Sequence, residues 1–313
     1  MGGLFAAFVM CAAVGGLVAS AAASGTLRWD DGWLDPPPPR RAGSSIPPEP
    51  PRPPATYPVV PALPGMPPAR YLQPVYAVPY DAKPVRGRPE AILHEIGEVT
   101  AFFQEELDGA YPRYAPDGQA PSVVTAVLPW SGHELKTVEE RLNEIGRYLH
   151  DQDRIEPHAI PLVYVEASTD REACGWASVF PEKLKRVADP RFGQEAVATY
   201  RASIERRDYI MIALHRCPGY HLSHVARWPG GATHLLAHET THALGAVEAE
   251  APHYAENGHT GDDPRDILYR GPEGSATERY VIDPGHDDYY RHGRSDLTDI
   301  ADSELLVHPP GTG

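Results

Sequence analysis

No lysine- or arginine-rich run occurs anywhere in the chain, and the formal net charge is −15. A nucleic-acid or anionic-membrane partner needs a basic footprint, so the composition argues against both. Cysteine is scarce: Cys11, Cys174 and Cys217 are the three in 313 residues. Cys11 falls in an N-terminal apolar stretch, which leaves Cys174 and Cys217 for the mature domain. In an exported protein two cysteines read most simply as one disulfide. Charge is missing from the start of the chain, where no charged side chain precedes Arg28 and Leu4 to Ala23 are apolar or small. That run ends in Ala21-Ala22-Ala23-Ser24, a small-residue site of the kind signal peptidases cut, yet it lacks a basic leader and is long enough to span a bilayer. Residues 1–24 therefore read as a signal peptide or a membrane anchor, and the protein is expected outside the cytoplasm, secreted or tethered at the cell surface.

Large aliphatic side chains are sparse from Asp35 to Pro89, where 19 of the 35 prolines lie. Such a composition offers no core-forming face, so residues 25–89 are expected to form an extended, disordered linker or stalk. At ~3.1 Å per residue it could reach well over ~100 Å. The globular domain is then residues 90–313.

Within it, Ile92, Ile96, Val99, Phe102 and Phe103 recur at helical spacing across Ala91 to Leu107. Leu135, Val138, Leu142, Ile145 and Leu149 do the same across His133 to Leu149, predicting a second helix. Ser122 to Leu128, Ile160 to Val165 and Asp208 to Leu214 are short apolar runs of strand length. Gly231 to Leu244 predicts a further helix, stopped by Gly245 at the position where glycine ends helices. Beyond it the chain is rich in Gly, Pro, Asp and His to its end. This alternation predicts an α/β or α+β fold with a mixed sheet and an irregular C-terminal subdomain.

The chemistry centres on His238-Glu-Thr-Thr-His242, an H-E-x-x-H pattern. Residues four apart share one helix face, so both imidazoles can address a single ion. Neutral imidazole nitrogen suits Zn²⁺, the expected cofactor, which keeps a position open for water when the protein supplies three ligands. Glu239, one residue past the first histidine, falls beside such an ion rather than on it and can act as general base toward that water. A chance match among 15 histidines does not explain the pattern's place on a helix closed by glycine.

Gly245 extends the match to H-E-x-x-H-x-x-G, which resembles the metzincin clan of zinc peptidases. The run HETTHALGAVEAEAPH, then GH, D and DIL, and later HDDYY, resembles a family of exported metzincin-like proteins. Members read HExxHxLGAVQxSAPH, then GHC, DVMCY and NHDDYF. Upstream, LVYVEAS and CGW resemble that family's strand followed by Cys-Gly, and Cys217 matches its cysteine before the helix. The resemblance spans roughly Ala91 to Tyr290 and implies a zincin-like fold and zinc-dependent endopeptidase activity on a peptide or protein substrate. By analogy with archaemetzincins it favours His259 as third ligand, with His253 second and Glu248, at the usual ligand position, third. Leu268 replaces the methionine of the family's Met-turn, an apolar residue of similar volume, and Thr260 replaces a cysteine. Tyr269 is open between oxyanion stabiliser and packing residue. His286-Asp287-Asp288-Tyr289 is expected to form a structural hydrogen-bond cluster behind the site. His234 reads as a polar residue of the helix's first turn, and His215, His221 and His224 as surface or supporting residues. The alternative to an enzyme is an exported zinc-binding scaffold with little turnover; an intact Glu239 speaks for the enzyme.

Overall fold

The computed structural model describes residues 70–137, 139–167, 175–178, 209–214, 232–270 and 280–309. In chain order the elements are β1 (Tyr71–Pro79), α1 (Arg88–Glu106), β2 (Tyr111–Pro112), β3 (Val124–Leu128), α2 (Gly132–Thr137), α3 (Glu139–Asp151), β4 (Ala159–Val165), β5 (Gly175–Ser178) and β6 (Tyr209–Ala213). They are followed by α4 (Ala232–Leu244), β7 (Tyr254–Ala255), β8 (His259–Thr260), a 3-10 turn at Ile300–Asp302 and β9 (Leu306–Val307).

Five strands form one mixed sheet in the order β3-β1-β4-β6-β5. β3, β1, β4 and β6 are parallel, and β5 runs antiparallel to β6 at the edge. Alternate residues of each strand serve opposite faces. Leu72, Tyr76, Val78, Ile160, Leu162, Tyr164, Ile210 and Ile212 share a core with α1 and α4. Tyr71, Val75, Ala77, Val163, Val165 and Met211 join Leu135, Ile145 and Leu149 of α2 and α3. β4 and β6, covered on both faces, read as continuous apolar runs, whereas β3 at the edge alternates buried and exposed residues. Fixing the register also fixes which side chains meet α4, because a one-residue slip would reverse every face. Ile92, Ile96, Val99 and Phe103 are the buried stripe of α1, each worth about 1.5–3 kcal/mol in burial.

The boundary expected at residue 90 is too late. Tyr71–Pro79 falls within the proline-rich stretch expected to be linker, yet β1 is wholly buried between β3 and β4. Two of its nine residues are proline, and their positions explain the tolerance. Pro74 pairs with Leu162 of β4 before the ladder to β3 begins at Val75, and Pro79 is the last residue. A missing N–H is harmless where a strand is paired on one side only or is ending. Glu166, just past β4, then ties the top of the sheet to α1. It accepts from Arg88 Nε and a terminal guanidinium nitrogen at 2.9 Å each, and from the Tyr76 hydroxyl at 2.6 Å.

The helix expected over His133 to Leu149 is found as α2 and α3, which together cover the described residues of that range; residue 138 lies outside them. The C-terminal segment is irregular, as expected, but it is not a separate subdomain. Ile267, Leu268, Tyr289, Leu297 and Ile300 belong to the same core as α1 and α4, and β9 pairs with β2. Among the described residues no helix is long and apolar enough to cross a membrane. Residues 1–24 and the linker up to residue 69 lie outside the described residues, as do Cys174, Cys217, His215, His221 and His224.

Candidate metal centre

Helix α4 is amphipathic in an unusual sense: one side is apolar core and the other carries the chemistry. Leu236, Ala237, Thr240, Thr241, Ala243 and Leu244 are buried, while His238 and His242 keep partial exposure on the other side. Gly245 ends the helix at φ 121°, a left-handed conformation that glycine adopts without a Cβ clash. The Ala246 N–H donates back to the Thr241 carbonyl (3.4 Å), and this reversal delivers the Ala246 carbonyl to Nδ1 of His242 at 3.0 Å.

The chain returns through the β7–β8 hairpin. Ala255 pairs with His259, and Asn257 and Gly258 take left-handed φ values of 58° and 78° in the intervening turn. The Val247 N–H donates to the Gly258 carbonyl at 3.2 Å, which fastens this turn to the chain leaving α4. An Asn-Gly pair is a strong hairpin signal. It was the sequence feature able to place His259 in a strand beside the helix.

Three imidazoles thereby converge. Ring centroids are 4.8 Å apart for His238–His242, 5.1 Å for His238–His259 and 4.9 Å for His242–His259. One nitrogen from each lies within 4.8 Å of the others, a group able to hold a metal ion. In every ring Nδ1 is engaged by a backbone carbonyl: Ile267 for His238 (2.8 Å), Ala246 for His242 (3.0 Å) and Glu256 for His259 (2.9 Å). A carbonyl only accepts, so Nδ1 carries the proton and Nε2 is left with a bare lone pair. Burial, reinforced by the neighbouring imidazoles, holds His238 well below the usual histidine range; burial and His259 bring His242 to about 4. Burial likewise lowers His259.

Glu239 lies on the sheet side of the same helix. Burial pushes its carboxyl up to about 8, partly opposed by the Ala177 N–H of β5. Gly175 makes that approach possible, for a Cβ there would stand 3.0 Å from Cγ and Oε1 of Glu239 and 3.1 Å from a methyl of Leu235. Gly175→Ala is therefore expected to lower stability by about 1–3 kcal/mol and to displace Glu239, measurable as a drop in denaturation midpoint. An unchanged midpoint would show that α4 and β5 have slack between them.

The other residues singled out from the sequence fall elsewhere. His253 donates its backbone N–H to Asp288 Oδ1 (2.8 Å), and its Nδ1 lies 3.2 Å from Asp288 Oδ2, 3.5 Å from Asp287 and 3.7 Å from Asp262. Burial lowers its pKa, but the hydrogen bond to Asp288 and these carboxylates outweigh that and raise it. Glu248 accepts from the backbone N–H of Thr298 at 3.0 Å and from its hydroxyl. His234 is buried and stacked on Tyr280 at 4.2 Å, with burial taking it to about 4. Leu268 is fully buried in the core, its carbonyl accepting from Thr260 at 3.0 Å. Tyr269 is half-buried and bridged to Thr260 through its backbone. Gly175 and Asp266, inside the CGW and DIL motifs, and Asp283 have roles that no local sequence pattern signals. Asp266 and Asp283 are buried carboxylates, and Asp283 collects the N–H groups of Asp288, Tyr289 and Tyr290 at 2.7–3.2 Å.

No protein-family model matches the chain, and no curated protein matches it. Among solved structures, metalloproteinase-II from Bacteroides fragilis aligns with 64% of this chain and 46% of its own, at 15% identity and a TM-score of 0.33. A chaperone–substrate complex aligns with 74% of this chain and 36% of its own, at 14% identity and a TM-score of 0.37. OgpA from Akkermansia muciniphila aligns with 69% and 58%, at 13% identity and a TM-score of 0.34. The chain thus spans between 36% and 58% of the length of these structures.

Proposed function

We propose that the chain is a zinc-dependent endopeptidase of zincin-like fold, with His238, His242 and His259 as ligands and Glu239 as general base. One observation carries this reading. Nε2 of His238 and Nε2 of His259 stand 3.3 Å apart, each a bare lone pair because the ring's proton sits on Nδ1 and is donated to a carbonyl. Two lone pairs facing each other at that distance repel unless a cation lies between them. Zinc–nitrogen bonds of about 2.0–2.1 Å at the tetrahedral angle put ligand atoms about 3.3–3.4 Å apart. An all-imidazole donor set of three suits zinc and leaves a position for water.

When bound, zinc supplies an acidified water and a Lewis acid for a carbonyl. Glu239, next to His238 in sequence but absent from the histidine group, would serve as general base toward a water held there and as the acid that protonates the leaving amine. Burial and the Ala177 N–H hold the carboxylate in place, with no ion pair to it among the described residues. β5 gives the preference for a peptide. It ends the described sheet and packs against α4, so a substrate held beside the metal group in extended form would lie alongside a strand. The apolar residues 4–23 and the proline-rich stretch support an extracytoplasmic setting, in which Cys174 and Cys217 would be bridged.

The test is metal analysis of the full chain together with cleavage of a broad peptide library, with and without chelator. About one zinc per chain and chelator-sensitive cleavage are expected. Zinc without cleavage would favour the scaffold reading, and no zinc would overturn both.

A further inference from the structure

Behind the three histidines lies a buried polar pair that the proposed chemistry does not use. The Tyr289 hydroxyl donates to Asp266 Oδ1 at 2.6 Å and accepts from the Asp283 N–H at 3.1 Å. The same Oδ1 accepts from the Leu268 N–H at 2.7 Å. Asp266 thus closes the turn 266–268 on itself, with Tyr289 bracing the carboxylate from outside. The turn's two carbonyls lead to the metal group. Ile267 O receives Nδ1–H of His238, and Leu268 O receives the N–H of Thr260, the residue after His259. Both Asp266 and Tyr289 are almost wholly buried, so water cannot replace either partner.

We propose that Asp266 and Tyr289 are positioning residues of the metal centre, setting the orientation of His238 and His259 through the Ile267 and Leu268 carbonyls. This rests on the metal reading above and gives the HDDYY segment a role in it. Groups that orient a ligand's second nitrogen tune metal affinity, and here that orienting group is itself held by one carboxylate oxygen.

The full chain supplies the test, through zinc affinity by chelator competition and the ligand-field spectrum of the cobalt(II) form. Tyr289→Phe removes a single oxygen and is expected to weaken zinc roughly 10-fold and to shift the cobalt bands. Asp266→Ala should do more. Asp266→Asn, which keeps an acceptor oxygen for Leu268 and Tyr289, should recover most of the loss. Tyr76→Phe is the matched control. That hydroxyl also accepts a backbone N–H, from Val85 at 3.0 Å, and donates to a buried carboxylate, Glu166, at 2.6 Å. It should lower thermal stability comparably while leaving affinity and spectrum at wild type. If Asp266→Ala does not fold, Tyr289→Phe decides. Wild-type affinity and spectrum in Tyr289→Phe, or the same loss in Tyr76→Phe, overturns the positioning role alone. A wild-type chain that binds neither ion overturns the metal reading and this inference with it.

Discussion

Glu239→Gln is expected to lower peptide hydrolysis by about 10²–10⁴-fold while zinc content and fold stay at wild type. The prediction follows from where the residue sits. Glu239 is not among the three converging imidazoles, so its loss removes no ligand. Glutamine has the same shape and keeps a carbonyl oxygen for the Ala177 N–H, so the contact between α4 and β5 survives. Burial already raises the carboxyl to about 8 without a metal, which means that the pocket accepts a neutral group readily. A cation beside it would draw that value down and make the carboxylate available as a base at neutral pH. Glutamine cannot accept the proton under either condition. His238→Ala and His242→Ala should behave differently and lose the metal itself. Metal analysis, circular dichroism and a peptide-cleavage rate on the same three preparations separate the two effects. A Glu239→Gln protein that cleaves as fast as wild type would remove Glu239 from the mechanism.

Much of the scaffold was legible because its signals are local. The helical period of Ile92, Ile96, Val99 and Phe103 and the apolar runs of β4 and β6 need only near neighbours in sequence to be read. His238 and His242 share a helix face by spacing alone. Composition misled where structure overrode it. Proline at Pro74 and Pro79 is compatible with a central strand only because the ladder to β3 starts after the first and stops at the second, and pairing is not written in the residues themselves. β5 is four residues, too short for a pattern to stand out. The site's back wall was illegible for a related reason. Asp266 looks like a loop aspartate, and its burial depends on Tyr289 and Asp283 arriving from beyond the next segment. The Asn257-Gly258 turn is the exception, a local signal that sets His259 into the hairpin.

Zinc affinity in His259→Ala, His253→Ala and Glu248→Ala should divide cleanly, with a large loss only in the first. His259 contributes Nε2 to the group, 3.3 Å from that of His238, and its Nδ1 is already fixed by the Glu256 carbonyl. Removing one of three such ligands should weaken zinc well beyond the roughly 10–100-fold expected for an outer partner. His253 is held elsewhere. Its ring is bound to the Asp288 carboxylate and belongs with Asp262, Asp287 and Asp288 rather than with the three converging imidazoles. His253→Ala should therefore loosen the link between the hairpin and the Asp288 segment and leave zinc within the outer-partner range. Glu248 has both donors of Thr298 on its carboxylate, so Glu248→Ala leaves a buried N–H and hydroxyl without an acceptor. About 1–3 kcal/mol of stability should go, with little change in metal affinity. The three variants are compared by chelator competition at one pH, with denaturation midpoints recorded in parallel. If His253→Ala or Glu248→Ala empties the site while His259→Ala binds zinc as wild type does, the hairpin histidine is not the third ligand, and the facing lone pairs of His238 and His259 need another cause.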